Sequence, residues 1–276
     1  MIEINNLTFG YQRKHILFNQ LSIQIPMGHI YGLLGKNGAG KTTLLKQITG
    51  LLYPTTGECL IFGKPAQERL PEVLSDMYLI PEEFQLPAIR MNEFSRLHAP
   101  FYPKFDQDLL KNYLDEFQVN GNVKLTSLSY GQKKKFLIAF GLATRTRILL
   151  LDEPTNGLDI PSKSQFRKII ASSMDEDRSI LISTHQVRDL ASLIDHIVIV
   201  ENGKIIFHQS IFDISSKIAF MQTKDMTNLD VLYAEDIFGG KAVIYRKNSE
   251  ETEIDLELLF NGIITDADKI NNEFKN

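Results

Sequence analysis

The segment spanning residues 35–42 constrains this chain more than any other stretch of its sequence. It reads Gly-Lys-Asn-Gly-Ala-Gly-Lys-Thr and follows an almost unbroken apolar run at residues 30–34. Behind it, apolar residues recur at helical spacing, so a buried strand, a glycine-rich loop and a helix over residues 41–50 are predicted in that order. This pattern is typical of a phosphate-binding loop, because its glycines let successive backbone N–H groups turn toward one anion.

The side chains of this loop predict a cradle for a nucleoside triphosphate. Lys41 is predicted to reach the outer phosphates, and Thr42 to place its hydroxyl on Mg²⁺, a cation that keeps several waters and needs few protein ligands. The alternative is a chance glycine-rich turn, which average composition produces in roughly one chain per hundred. We set that alternative aside because the strand and helix context is right. The predicted nucleotide-binding residues of the loop are Gly35, Lys36, Asn37, Gly38, Ala39, Gly40, Lys41, Thr42 and Thr43.

Two adjacent acids follow a second apolar run. Residues 148–151 predict a buried strand, and Asp152 and Glu153 come directly after it. Ligands of open α/β sheets bind at the carboxyl ends of the strands. We therefore predict that Asp152 holds hydrated Mg²⁺ and that Glu153 orients and deprotonates the water that attacks the γ-phosphate. A solvated or capping role is the alternative for such acids, and the phosphate-binding loop makes it less favourable.

Further motifs carry a resemblance to a known family. In order, they are Tyr11, the phosphate-binding loop, Leu128-Ser129-Tyr130-Gly131-Gln132, the paired acids, Gly157-Leu158-Asp159 and His185. Over roughly residues 2–213 the chain resembles the ABC ATPases, because these motifs match the family's adenine-stacking aromatic residue, signature sequence, D-loop and switch histidine in order and spacing. Such a series is far more specific than any one member.

The resemblance implies that two subunits hold two ATP molecules head to tail between them. Each ATP would contact the phosphate-binding loop of one subunit and Ser129 and Gly131 of the other, with Gln132 and Asp159 also in the nucleotide site. Closure of the pair would then depend on whether ATP or ADP is bound. Among the matched positions, the implied catalytic residues are Lys41, Glu153 and His185.

This sequence departs from the family's common pattern at two places. Tyr130 stands where the commonest signature has a glycine, so the backbone can approach a ligand closely only at Gly131. Glu82 stands where the family usually has glutamine. Glutamate can also contact Mg²⁺ or water, so the implied metal-site residues are Thr42, Glu82 and Asp152, and altered turnover is expected.

The predicted fold class is α/β, with a P-loop NTPase core over residues 1–213 and a small α+β extension over 214–276. Alternating apolar residues near the N-terminus predict an antiparallel β subdomain, and the stretch at about 83–145 predicts an inserted helical subdomain. Buried strands with an intervening helix predict a parallel sheet. Asn202-Gly203 predicts a tight hairpin, and Cys59 a buried strand position. The tail predicts one strand at 242–245 and a terminal helix.

Composition limits the partners and the location. The net charge is −4 and the basic residues are dispersed, so no nucleic-acid partner is expected. We interpret Lys133 to Lys135 as a solvated helix start, and His15, His29, His98, His196 and His208 as surface or packed histidines without metal-ligand spacing.

There is no apolar run of about 18 residues, nor a signal-peptide pattern. A cytoplasmic subunit on the inner face of the membrane, attached through a membrane-spanning permease, is therefore expected.

The sequence leaves three functions open. The short helical insert and the small C-terminal extension resemble those of exporter ATPases, so an ATP-hydrolysing transporter subunit in a homodimer or heterodimer is the leading hypothesis. A soluble ABC ATPase acting on ribosomes or nucleic acid is the alternative, although such proteins usually carry two nucleotide domains or a long coiled coil. A nucleotide-binding regulator without turnover is the third, and Glu153 and His185 argue against it.

Overall fold

A computed structural model describes residues 1–12, 14–247 and 252–275 of the chain. The strands are β1 (Ile2–Phe9), β2 (Phe18–Ile25), β3 (Ile30–Leu34), β4 (Thr56–Ile61), β5 (Lys64–Pro65), β6 (Met77–Ile80), β7 (Ile148–Asp152), β8 (Ser179–Thr184), β9 (His196–Glu201), β10 (Lys204–Ser210), β11 (Ile218–Thr223), β12 (Val231–Ile237) and β13 (Gly240–Arg246). The α-helices are α1 (Lys41–Ile48), α2 (Pro71–Leu74), α3 (Met91–His98), α4 (Gln107–Glu116), α5 (Tyr130–Ala143), α6 (Ile160–Ser172), α7 (Ile211–Lys217), α8 (Leu256–Thr265) and α9 (Ala267–Asn271).

The N-terminal strands form the predicted antiparallel sheet, in the order β2-β1-β4-β5. Alternate residues of β1 face the core, and in the register Ile4 lies opposite Ile23 of β2 and Cys59 of β4. Period-two burial of this kind follows from the pleat, which points successive side chains to opposite faces. Cys59 is buried as expected, and burial raises the pKa of its thiol to about 12.

A six-stranded sheet forms the centre of the molecule, in the order β10-β9-β3-β8-β7-β6. Strands β9, β3, β8, β7 and β6 are parallel, and β10 alone pairs antiparallel at the edge. Asn202 and Gly203 join β9 to β10 with φ values of 48° and 70°, as a tight turn with two left-handed residues requires. The α/β fold and the parallel sheet are thus confirmed.

The central sheet is covered on both faces, which explains its unbroken apolar strands. Along β7, Leu149 and Leu151 belong to a cluster with the middle helices, whereas Ile148 and Leu150 belong to a cluster with the N-terminal sheet and α1. Helices α3, α4 and α5 lie within the stretch predicted to be helical. Helix α5 is apolar all round its last two turns because it is buried between α4 and the sheet.

The C-terminal part contains more strand than the sequence indicates. Strands β11, β13 and β12 form an antiparallel sheet in that order. The sequence predicted β13 and the following helix α8 but neither β11 nor β12. Apolar residues of this sheet and of α8 belong to the same cluster as the central sheet, and the boundary predicted after residue 213 falls inside α7. The division into two domains stays a prediction. None of the helices in the described ranges combines the length and apolarity that a bilayer crossing requires.

Candidate nucleotide site

The phosphate-binding loop and the predicted catalytic and metal-site residues lie at the ends of four strands of the central sheet. The phosphate-binding loop follows β3, Glu82 follows β6, Asp152 and Glu153 lie at the end of β7, and His185 follows β8. Because parallel strands place all their carboxyl ends at the same edge, residues that are far apart in the sequence meet there. Glu82, Glu153, His185 and the part of the loop from Asn37 to Thr43 border a cavity of about 810 Å³, and Asp152 lies buried behind Thr42.

The phosphate-binding loop owes its shape to glycines at two close approaches. Gly40 precedes α1 with φ of 108°, and a Cβ atom there would lie 2.7 Å from the ring of Phe18. A Cβ atom on Gly35 would lie 2.5 Å from the carbonyl oxygen of Val200. Larger residues would push the loop away from the sheet edge, and the loop would lose its alignment with the start of α1.

Lys41 is buried inside the loop rather than extended into water. Its side chain is 7% exposed, and its Nζ donates to the carbonyl oxygens of Gly35 at 2.8 Å and Lys36 at 3.3 Å. The same Nζ lies 3.6 Å from Oε1 of Glu153. One ammonium group therefore connects the loop to the acid at the end of β7, at the point where a terminal phosphate would bring negative charge.

Hydroxyl and carboxylate oxygens meet beside this lysine. Thr42 Oγ1 donates to Oδ2 of Asp152 at 2.7 Å, and Ser183 Oγ donates to the other carboxylate oxygen. Asp152 is 2% exposed, so these bonds hold its carboxylate in one orientation. An oxygen-only donor set with a single carboxylate suits Mg²⁺, which is bound by few protein ligands and keeps its waters. Glu82 and Thr42 both border the nucleotide cavity.

Glu153 is held in an unusual backbone conformation. Its φ is 44°, which costs a residue with a side chain about 1–3 kcal/mol. Its N–H donates to the carbonyl oxygen of Ser183 at 3.0 Å, Thr184 Oγ1 donates to Oε2 at 3.2 Å, and Nδ1 of His185 lies 2.8 Å from Oε1. The carboxylate is thus fixed on both oxygens by the neighbouring strand end.

The interpretation of Lys133 to Lys135 as a solvated helix start is wrong for Lys134, whereas Lys133 and Lys135 are partly exposed. Lys134 is wholly buried, and its Nζ donates to the carbonyl oxygens of Glu153 at 2.6 Å and Asn156 at 3.3 Å. Burial lowers the pKa of Lys134, and the charges of Glu82, Glu153 and Asp152 oppose that effect. Lys134 lies one helical turn before Ile138 on the buried side of α5, and this spacing was the available signal.

Two polar residues that the sequence analysis missed extend the site. Asn156 Nδ2 donates to Oε1 of Glu82 at 3.0 Å, and its Oδ1 accepts from Nε2 of Gln186 at 3.2 Å. Asn156 therefore connects the segments that follow β6, β7 and β8. Its position three residues after Glu153, in the loop before the predicted D-loop, was the only signal in the sequence.

Tyr11 lies at the open end of the cavity. It is 63% exposed, its hydroxyl is 3.0 Å from Oγ1 of Thr43, and its ring meets Phe9 edge-on. The ring can therefore offer a face to a flat base while the phosphates extend toward Lys41.

The signature segment lies outside this cavity. Ser129 caps α5, with Oγ accepting from the N–H of Gln132 at 3.2 Å and Gln132 Oε1 accepting from the N–H of Ser129 at 3.0 Å. Asp159 caps α6, and its hydrogen bonds with Ser162 lower its pKa. Ser129, Gln132 and Asp159 are exposed and Gly131 is half-buried, and within the described ranges none of the four borders the cavity of its own chain.

Two of the scattered histidines come together in space. His29 and His196 have ring centroids 4.3 Å apart, and their Nδ1 atoms lie 3.3 Å and 2.9 Å from the carboxylate of Asp195. Asp195 also accepts from the N–H of Ile30 at 3.1 Å. Spacing along the sequence gave no sign of this group, because β3 and β9 become neighbours only in the sheet. It lies at the amino ends of these strands, opposite the nucleotide cavity, and it fixes their starts.

Comparisons with known proteins agree on one family. The model of the family described as ABC transporter matches residues 18–156. The bacitracin transport ATP-binding protein BcrA of Bacillus licheniformis is 33% identical, covering 75% of this chain and 68% of its own length. The SkfA peptide export ATP-binding protein SkfE of Bacillus subtilis is 30% identical, covering 74% and 87%. A solved ATP-binding subunit of an ABC transporter superposes with a TM-score of 0.69 at 25% identity, covering 78% of this chain and 92% of that one.

Proposed function

Since the chain belongs to the ABC transporter family of ATP-hydrolysing, ATP-binding proteins, we propose that it is the ATPase subunit of an exporter. The observation that carries the catalytic part is the placement of Lys41, Glu153 and His185 around one cavity beside the phosphate-binding loop. A cation for the phosphates, a carboxylate for the water and a partner for that carboxylate are the groups that phosphoryl transfer to water needs.

The roles of the individual side chains follow from their contacts. Loop amides and Lys41 bind the terminal phosphates, and Lys41 leaves its carbonyl partners to do so. Thr42 and Asp152 would hold Mg²⁺, which supplies charge neutralisation at the phosphate oxygens when bound. Glu153 accepts the proton of the attacking water, and His185 keeps the carboxylate aimed through the contact at Oε1. Tyr11 stacks on the adenine.

A second copy or a related subunit would complete the site. Ser129, the N-cap of α5, is exposed, and the N-terminus of a helix attracts negative charge. The phosphate-binding loop would contact one side of a bound triphosphate, and the signature segment of a partner would close the other side. ATP would then join the two subunits, and hydrolysis would release them.

The export assignment rests on the relatives and on the layout of the chain. One relative is named for bacitracin transport and the other for peptide export. We propose that this chain, like a subunit of such systems, works at the cytoplasmic face of the membrane by driving a membrane-spanning permease. Neither relative favours a soluble machine that acts on ribosomes or nucleic acid.

Purification of the tagged chain from detergent-solubilised membranes of its source cells tests this function. We expect it to retain a polypeptide with several membrane-spanning helices, and we expect that complex to hydrolyse ATP. Recovery with ribosomes instead, or with no membrane protein under conditions that keep the chain folded and bound to nucleotide, would contradict the transport assignment.

A further inference from the structure

Tyr130 of the signature segment makes side-chain contacts that a glycine at this position could not make. It is the first residue of α5, and its ring stacks on Phe84 with centroids 5.3 Å apart and planes 13° apart. Its hydroxyl donates to the carbonyl oxygen of Glu82 at 2.8 Å. Both partners lie in the segment that follows β6, so one side chain attaches this segment to the start of the signature helix.

The same ring also packs on the loop that follows β7. A Cβ atom built on Gly157 would lie 2.9 Å from Cδ1 of Tyr130, so only a glycine lets the two approach this closely. Burial, with smaller effects from Glu82 and Glu83, raises the pKa of Tyr130, and the hydroxyl therefore stays protonated as a donor. One side chain thus contacts three segments of the molecule.

The three segments that Tyr130 contacts also bond to one another beside the nucleotide cavity and the predicted catalytic acid Glu153. Glu82 borders the cavity, and Asn156 donates to its carboxylate from the loop that contains Gly157. Lys134, one turn after Tyr130 in α5, binds the carbonyl oxygens of Glu153 and Asn156. A shift of Glu82 on nucleotide binding would therefore reach the signature helix through direct contacts.

We propose that Tyr130 is a positioning residue that fastens the segment after β6 and the loop after β7 to the signature helix α5. The phosphate-binding side of one subunit, which comprises the loop at 35–42 with Glu82 and Glu153, then moves together with its signature side, residues 129–132. This inference rests on the proposed function, because the signature segment acts on a nucleotide held by a partner. Ser129 and Gly131, the neighbours of Tyr130, reach that nucleotide in a fixed orientation only while the three contacts last.

Kinetics of the full-length chain in its transporter complex separate positioning from nucleotide binding. Tyr130→Phe keeps the stacking and removes the hydrogen bond, and Tyr130→Gly removes both. We expect turnover at saturating ATP to fall about fivefold for Tyr130→Phe and on the order of thirtyfold for Tyr130→Gly. We expect ATP affinity to change less than about twofold, because Lys41 and its loop are untouched. The control is Tyr53→Phe, at a tyrosine of similar exposure (57% against 46%) in the loop after α1.

A fluorescent reporter tests the contacts without any need for turnover. The chain has no tryptophan, so Phe84→Trp places a single indole against Tyr130. We expect its emission to change on addition of a non-hydrolysable ATP analogue with Mg²⁺. In the Phe84→Trp, Tyr130→Gly double variant we expect emission shifted toward that of indole in water, with less than half of the nucleotide response.

The outcomes of the two experiments are distinct. The positioning role would be overturned if the Phe84→Trp variant had the same emission and nucleotide response with Tyr130 and with glycine at position 130. It would also be overturned if the kinetics of Tyr130→Phe and Tyr130→Gly equalled those of Tyr53→Phe. A fall in ATP affinity that accounts for the whole loss of turnover would overturn it as well. Failure of the parent chain itself to bind or hydrolyse ATP would instead contradict the proposed function.

Discussion

The phosphate-binding side and the signature side of this molecule are built in opposite ways. Around the phosphate-binding loop, Lys41, Asp152 and Glu153 are 6%, 2% and 4% exposed, and each makes polar contacts to residues from other strand ends. At the signature segment, Ser129 and Gln132 are exposed and bond mainly to each other. The first side is a set of buried groups that bond to one another, whereas the second is an exposed helix start.

This difference indicates which side can bind a nucleotide alone and which side needs a second surface. Buried and mutually bonded groups lose little freedom when a ligand arrives, so the phosphate-binding side can hold a nucleotide alone. An exposed helix N-terminus gains most when another surface brings a negative charge to it. Lys134 and Tyr130 join the two sides within one chain. Variants on each side should therefore change different measurements.

Glu153→Gln should produce the largest effect. Glutamine keeps the size of the side chain and removes the base, so turnover should fall by about 10²–10⁴. ATP affinity by calorimetry should stay close to that of the parent chain, because the loop that binds the phosphates is unchanged. Retention of more than a tenth of the parent turnover would show that another group activates the water.

Lys41→Ala should act on binding itself. The charge-assisted bonds of an ammonium group to phosphate contribute about 1.5–3 kcal/mol, so affinity for an ATP analogue should fall by about 10- to 150-fold. Calorimetry at equal protein concentration measures this directly. Lys46→Ala, in the last turn of the same helix, is the matched control and should bind as the parent does. Equal affinity of the Lys41 variant would mean that the nucleotide lies elsewhere.

Lys134→Ala should damage both sides at once. It removes the ammonium donor from the carbonyl oxygens of Glu153 and Asn156 and leaves Glu153 only the longer bond from the N–H of Asn156 at 3.3 Å, which should lower the free energy of unfolding by about 2–3 kcal/mol. Urea unfolding followed by circular dichroism measures this free energy. The control is Lys133→Ala, because the Lys133 side chain is partly exposed. A loss no larger than that of the control would mean that the buried ammonium group does not hold the two segments together.

Ser129→Ala should have the smallest effect, and only where two subunits meet. One lost hydrogen bond to the partner's nucleotide should reduce turnover of the complex about fivefold, and nucleotide affinity of the isolated chain should not change. Ser127→Ala, at an exposed serine that bonds only within its own turn, is the control. Weaker nucleotide binding by the isolated Ser129 variant would contradict the division between the two sides.

Local patterns in the sequence predicted the strands and loops that bring the site together. The loop at 35–42 and the acids after β7 were found because their function needs fixed residue types at fixed spacing. The burial of Lys134 was not found, because the lysine run resembles a solvated helix start until α5 is placed under the loop after β7. The contact between His29 and His196 was also hidden, since it depends on strand order. Strands β11 and β12 were hidden because the charges lie mostly in the segments that join them, and the pairing of both strands with β13 became visible only in the structure.

The molar mass of the Glu153→Gln variant in solution, measured by light scattering with and without ATP and Mg²⁺, tests the central claim most directly. If each chain supplies the phosphate-binding side of one site and the signature side of another, uncleaved ATP should convert monomers to dimers. The additional variants Lys41→Ala and Ser129→Ala should each weaken that conversion. A variant that binds ATP by calorimetry and yet stays monomeric at every concentration tested would contradict the account.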